Sequence, residues 1–322
     1  MRVLVTGGAG FIGSHLCESL IKQGDEVYVL DDLSTGRFEN IEHLPNVRCV
    51  VDSTLNQEIV RDLVREVDRV YHLAATVGVQ LVVNHPIRTI VNNIRGTETV
   101  LEETCRYRKP LLITSTSEVY GKGTGDVFRE NDDRVIGPTH RYRWCYAESK
   151  AVDEFLALAY WHEKRHPVVI VRLFNTVGPR QTGRYGMVIP TFVRQALLGE
   201  PLTVYGDGQQ TRCFAYVGDV VPALMALMDH PQAQGQVFNV GSQERVTIEE
   251  LARRVIARTG SSSTIRYIPY TQAFGPGYED MRHRAPCLDK IRDLIGYSPK
   301  TSLDEIIDSV IVYVKDQLQR GI

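Results

Sequence analysis

Met1-Arg-Val-Leu-Val-Thr-Gly-Gly-Ala-Gly-Phe-Ile-Gly13 is the stretch that decides the fold. Its apolar start reads as a buried strand, turning through glycines into an amphipathic stretch from Phe11 to Gln23. Gly7, Gly10 and Gly13 are spaced so that the backbone can turn tightly, approach a pyrophosphate and pack the new helix on the sheet. A lone glycine pattern is a weak signal. Here a second strand, Glu26 to Leu30, follows the helix and ends in Asp31. An acid at that strand end accepts hydrogen bonds from both hydroxyls of an adenosine ribose and repels a 2′-phosphate, which favours NAD over NADP. Gly7, Gly10, Phe11, Ile12, Gly13 and Asp31 are therefore candidate cofactor residues.

Downstream, Val47 to Val51 reads as a strand, Gln57 to Glu66 as a helix, and Arg69 to Leu73 as a strand ending in the small residues Ala74 and Ala75. Ile87 to Arg106 is helical, Leu111 to Thr114 a continuous apolar strand, Trp144 to Glu163 a long helix and Val168 to Leu173 a strand. This alternation predicts an α/β fold, a Rossmann-like doubly wound parallel sheet. From about Asn175 the glycines and prolines multiply, and a smaller C-terminal α/β substrate domain is expected. Residues 214 to 217 and 236 to 240 read as buried strands that return to the main sheet, so the domains interleave: 1–174 with 214–241, and 175–213 with 242–322. A final helix, about Leu303 to Gln317, is expected to cover the smaller domain.

The chain has 322 residues, is 43% hydrophobic and 24% charged, and carries a net charge of -2, which provides no global basic field for nucleic acid or an anionic membrane. Neither partner is expected. Six scattered cysteines without CxxC spacing read as free thiols in a reducing compartment. The first strand starts at Arg2, so no secretory segment is expected and the location is read as cytoplasmic. The nine histidines have no metal spacing, and His72, inside a strand, reads as a satisfied core residue; no metal is implied.

Tyr146 and Lys150 lie four residues apart, so on a helix they share a face in adjacent turns. An ammonium beside a phenol, with the positive charge of an oxidised nicotinamide, lowers the tyrosine pKa until it can take a proton from a sugar hydroxyl. Tyr146 is the expected base, Lys150 also holds the nicotinamide ribose, and Thr116 offers a hydroxyl to the same reacting oxygen. Alone, a Tyr-x-x-x-Lys pair is usually a solvated helix face; the glycine loop, Asp31 and Thr116 reverse that reading.

With these residues in view, the whole chain resembles the extended short-chain dehydrogenase/reductases that modify nucleotide sugars. It is most similar to the UDP-glucuronic acid decarboxylases, including the UDP-xylose synthases. The shared phrases are Ser115-Thr-Ser-Glu-Val-Tyr-Gly121, Arg172-Leu-Phe-Asn-Thr-Val-Gly-Pro-Arg180, Gly199-Glu-Pro-Leu-Thr-Val-Tyr-Gly206 and Gly277-Tyr-Glu-Asp-Met-Arg-His-Arg284. In the related 4,6-dehydratases an Asp-Glu pair follows the threonine, and 4-epimerases have small or hydroxyl residues at both places. Ser117-Glu118 is the decarboxylase pattern, and Glu118 is expected near C5 of the sugar.

The resemblance implies a C4 oxidation, loss of carbon dioxide from C5 and return of hydride, giving UDP-xylose or releasing the 4-keto pentose. It assigns Thr116, Ser117, Glu118, Tyr146, Lys150 and Arg284 to catalysis. Asp32, Thr35 and Gly36 are assigned to the adenosine, Asp52 to the adenine, and Leu73, Ala74, Ala75 and Asn92 to the cofactor's flank. On the substrate side, Asn175 lies near the sugar or phosphates, Val188 and Tyr205 at the uracil and Arg212 on the diphosphate. Tyr278 joins this set, and Arg284 grips the diphosphate or the departing carboxylate. The role of Arg143 is left open. Departures from the UDP-xylose synthases at 76–85, Ala147 and Ser149 bear on substrate identity. The alternatives are a UDP-glucuronate 4-epimerase, then a 4,6-dehydratase or a non-catalytic NAD-sensing regulator. The resemblance implies a homodimer through a four-helix interface; the apolar stripes of the two long helices, including Val100, Leu101, Val152 and Phe155, fit pairing across a two-fold axis or packing on the core alike.

Overall fold

The computed structural model describes residues 1–123, 125, 127–183, 186–274 and 279–321. Seven parallel strands form the main sheet, in the spatial order Gln236–Val240, Val168–Leu173, Leu111–Thr116, Arg69–His72, Arg2–Thr6, Glu26–Asp31 and Val47–Val51. The chain enters at the middle of the sheet and builds outward to one edge, then crosses back and builds to the other. Arg2–Thr6 and Arg69–His72 are thus neighbours whose connections leave in opposite directions, with Thr6 paired to His72 at their ends. Such a switch point opens a crevice beyond the carboxyl ends of the strands. The glycine loop and Leu73–Ala75 emerge on either side of it, so close that a Cβ on Gly7 would lie 2.8 Å from the Ala74 nitrogen.

Both faces of the sheet are covered, which is why its strands read as continuous apolar runs rather than alternating ones. On one face Val3, Val5, Leu16, Leu20 and Val220 pack together; on the other Leu4, Val70, Val100, Leu101 and Ile113 do so. A further core lies between the helices Val188–Leu197, Ile248–Thr259 and Leu303–Gln319, through Ile189, Phe192, Leu251, Val255, Ile306 and Val310. The last of these helices opens with a Ser302–Glu305 capping box.

Two expectations are corrected. Gln236–Val240 does join the main sheet beside Val168–Leu173, but residues 214 to 217 do not. Among the described residues Ala215–Tyr216 pairs with Thr176–Val177 alone, and Val217 opens the helix Val217–Asp229, whose first turn carries Asp219 to complement the helix dipole. The expected dimer stripe also divides. Val100 and Leu101 are wholly buried against the sheet, whereas Val152 and Phe155 face outward, Phe155 being 66% exposed. Both long helices pack on the sheet, and only their outer faces are free to meet another molecule.

Among the described residues no helix is long and apolar enough to cross a membrane. The six cysteines are unpaired. His72 is held between Thr6 Oγ1 at 2.7 Å and Thr97 Oγ1 at 3.1 Å, and burial pushes its pKa down to about 3, so it is a neutral core residue.

Candidate active site

The crevice at the switch point is a cleft of about 670 Å³. Gly7, Gly10, Phe11, Ile12, Gly13, Asp31, Asp32, Thr35, Asp52, Leu73, Ala74, Ala75 and Asn92 line it. Close packing explains the glycines. A Cβ on Gly13 would fall 2.1 Å from the Gly7 carbonyl oxygen, whereas one on Gly10 would meet only that same oxygen, at 3.1 Å, and otherwise face the cleft. Asp31 is 7% exposed; its carboxylate accepts hydrogen bonds from the backbone N–H groups of Ala9 at 3.0 Å and Leu33 at 2.9 Å. Burial raises its pKa, and these backbone bonds oppose the rise. Gly36 packs so close to Asp31 that a Cβ there would lie 2.8 Å from the carboxylate. The loop is further tied to the glycine turn by Arg37 N–H and Asn40 Nδ2, both donating to the Ala9 carbonyl. Backbone donors at a helix N-terminus, room beside Gly10 and an acid at the next strand end together match a dinucleotide's diphosphate and ribose.

Tyr146 and Lys150 lie outside that lining, on the helix Trp144–Lys164, which packs beside the strand Leu111–Thr116. Burial and then the Glu118 carboxylate push the Tyr146 phenol above its ordinary range, while the Thr116 hydroxyl, a hydrogen-bonding neighbour, pulls it down. Without an added cation the phenol is therefore neutral at pH 7. Lys150, 2% exposed, donates to Asp153 Oδ2 at 2.7 Å. Thr116 caps the short 3-10 helix Ser117–Tyr120, accepting from Glu118 N–H at 3.2 Å, and this turn directs Glu118 into the site while Ser117 is buried.

Glu118 meets cations that come from distant parts of the chain. Its Oε1 lies 3.2 Å from Arg284 and 3.7 Å from Arg143. Arg143 also reaches Asp280 at 3.0 Å, and Asp280 in turn accepts from Arg212 at 2.9 Å and from the Tyr270 hydroxyl at 3.1 Å. Arg284 donates to Asn175 Oδ1, and Asn175 Nδ2 donates to the Cys213 carbonyl at 2.9 Å. The strand pairing explains the crowding: His283–Arg284 lies parallel to Thr211–Cys213, in a register that sets Arg284 beside Arg212. Three guanidinium groups thus face two carboxylates, leaving one net positive charge in a mostly buried cluster. Burial and the neighbouring Arg212 lower the Arg284 pKa, against the pull of Glu118. Its Nε is buried without a hydrogen-bond partner among the described residues. Such a cluster is built to receive an anion.

Thr116, Glu118, Tyr146, Arg212, Arg284 and Asn175, called from the sequence, are thereby brought into one site. Val188 and Tyr205 sit on the smaller layer, Val188 opening its helix and packed against the second core, Tyr205 ending a strand. Tyr278 lies outside the described residues. Sequence reasoning did not single out Asp280, Asp153 or Asn93. Asn93, next to the cleft-lining Asn92, accepts from Thr76 N–H at 2.8 Å and donates to Ser149 Oγ at 3.1 Å, tying the cofactor's flank to the tyrosine helix. One signal for Arg143 was available: it stands at the N-cap position of a helix, without a side-chain capping bond, where a cation opposes the dipole and needs acidic partners.

Comparison with known proteins agrees with this geometry. The model of the NAD dependent epimerase/dehydratase family matches residues 3–241. A UDP-N-acetyl-alpha-D-glucosaminuronate decarboxylase of Bacillus cytotoxicus is 40% identical over 317 residues, 98% of each chain. UDP-glucuronic acid decarboxylase 1 of Arabidopsis thaliana is 39% identical over 306 residues, covering 95% of this chain and 68% of that protein. The solved UDP-glucuronic acid 4-epimerase from Bacillus cereus, in complex with UDP-glucuronic acid and NAD, superposes with a TM-score of 0.87 at 30% identity, covering 98% of this chain and 99% of that one. With a mostly parallel switch-point sheet, a glycine cradle and most of its length matched, the chain belongs to the NAD dependent epimerase/dehydratase family.

Proposed function

We propose that the chain is an NAD-dependent UDP-glucuronic acid decarboxylase that yields UDP-xylose or releases the 4-keto pentose. The observation that carries this reading is the buried meeting of Glu118 with Arg284 and Arg143 beside Tyr146. A 4-epimerase has no need of that carboxylate, and Ser117 cannot serve as the protonated acid of a dehydratase.

NAD, held by the glycine cradle, Asp31 and the loop from Asp32 to Gly36, supplies reversible hydride acceptance at C4. Tyr146 takes the C4 hydroxyl proton, its phenol brought down by Lys150 and the cofactor's charge, with Thr116 donating to the same oxygen. The C5–C6 bond then breaks, its electron pair moving into an enolate at O4 as carbon dioxide departs; Tyr146 and Thr116 stabilise that oxygen. C5 takes up a proton from solvent; the hydride would then return to C4 as Tyr146 gives its proton back to O4, or the 4-keto pentose would leave with the cofactor still reduced. Arg212 and Arg284, with the spare Nε donor of Arg284, bind diphosphate or carboxylate; Glu118 orients the sugar at C5.

The same reading divides the chain into the interleaved units 1–174 with 214–241 and 175–213 with 242–322; the return of Gln236–Val240 to the sheet and the separate second core support it. A homodimer through the two long helices is supported by their outward Phe155, Val152, Ile90 and Ile87. Free thiols and an ordinary soluble composition support a cytoplasmic location.

The Bacillus cytotoxicus relative favours a second substrate, UDP-N-acetylglucosaminuronate. Incubation with NAD and each uronate, following carbon dioxide and the sugar product, tests both. Carbon dioxide from UDP-glucuronate is the expected result, with Tyr146→Phe inactive though still able to bind NAD. A six-carbon product inverted at C4 would overturn the decarboxylase reading.

A further inference from the structure

Beneath the catalytic pair lies a carboxylate that the mechanism above does not use. Asp153 is wholly buried, one turn beyond Lys150 on the face that carries Tyr146, and accepts from Lys150 Nζ at 2.7 Å. Its neighbour Glu154 is committed elsewhere, to Arg172 at 2.7 Å and to Ser115 Oγ at 2.5 Å. On its other side stands Thr97, itself bonded to His72, which is bonded to Thr6, whose hydroxyl also accepts from Ala74 N–H at 3.3 Å. Because His72 is neutral, the charge that answers Asp153 here is the Lys150 ammonium. Four elements, two strand ends and two helices, converge on this buried polar row; among the described residues Asp153 Oδ1 has no hydrogen-bond partner, and Oδ2 is given to Lys150.

We infer that Asp153 is a positioning residue of the reaction: it anchors the Lys150 ammonium at the foot of the site and sets both its reach and the charge that Tyr146 feels. This rests on the reading of Tyr146 and Lys150 given above. An ammonium has three N–H donors. Asp153 takes one, leaving two for the phenol and the cofactor ribose.

The charged and titratable surroundings make the inference testable by pH. Tyr146 faces Glu118, Asp153 and Arg284, with the Thr116 hydroxyl. Lys150 faces Asp153 and His72; Asp153 faces Lys150, Glu154 and Thr97. In Asp153→Asn the ammonium loses its counter-ion and the phenol loses an acidic neighbour that holds its pKa up, so the phenol's pKa falls. The acid limb of the pH–rate profile, set by that phenol as base, then moves to lower pH, by about one unit or more, with NAD still bound. Asp153→Glu keeps the charge but displaces the ammonium: the limb stays, and kcat falls by about tenfold or more with little change in KM. A purely structural role would lower the amplitude in Asp153→Asn without moving the limb, and that result overturns the inference. Should Asp153→Asn fail to fold, an Asp153→Glu enzyme with parental kcat and KM overturns it instead. Tyr146→Phe, measured alongside, separates the two levels: if it still turns over, the reading of the pair fails, whatever Asp153 does.

Discussion

Replacing Asp280 with Asn leaves three guanidinium groups facing one carboxylate. Asp280 takes Arg143 on one oxygen and Arg212 on the other, all three side chains being less than a fifth exposed. Removing one partner of a buried ion pair costs about 3–5 kcal/mol. Asn keeps one acceptor oxygen, so the lower end of that range, about 3 kcal/mol, is expected, a fall in Tm of roughly 6 °C at about 2 °C per kcal/mol. A bound diphosphate returns the missing negative charge. UDP at about a hundredfold its Kd stabilises the parent by about 2.7 kcal/mol through mass action; at equal concentration it should stabilise the variant more, because the affinity rises with the extra unpaired cation. Thermal melts with and without UDP measure both terms. The reasoning is refuted if the variant melts with the parent, or if UDP raises its Tm by less. A pH series adds a signature. Burial pushes the Asp280 carboxyl up, but Arg143, Arg212 and Arg284 together hold it below its ordinary 3.8. A carboxyl so depressed stabilises the fold above its unfolded pKa and loses that contribution as pH falls through the lower folded value. Parent and variant should therefore converge only in acid below that ordinary value.

Glu118→Gln should leave C4 oxidation within about threefold, read as NADH absorbance in a single turnover, and slow carbon dioxide release by at least about tenfold; equal loss of both steps would count against a special role for the carboxylate. In Gly13→Ala the new methyl would collide with the Gly7 carbonyl at 2.1 Å, so NAD titration should find binding weakened by about a hundredfold or more. Ser302→Ala removes the capping box of the last helix, which should cost about 1 kcal/mol in a denaturant melt while kcat stays unchanged.

How much was legible in advance differs by element. The glycine loop, its strand and helix, and Asp31 could be read directly, because each depends on neighbours within thirty-odd residues and on a backbone geometry that few other residue types allow. Tyr146 and Lys150 were readable for the same local reason, helical spacing. Residues 214 to 217 misled because an apolar stretch is equally at home in a sheet or at a helix start, and the partner strand decides. Val100 and Leu101 misled because a helix stripe says that a face is covered without saying by what.

Local order along the chain thus determined by itself the parallel architecture, the dinucleotide crevice and the tyrosine–lysine pair, since strand and helix periodicity and glycine sterics act over short separations. Tertiary structure alone decided that Arg284 lies beside Arg212 and that Asp280 bridges Arg212 to Arg143. Those meetings depend on the register of strands about seventy residues apart and on burial, which strengthens charge interactions once water is removed. No spacing in the sequence encodes either quantity.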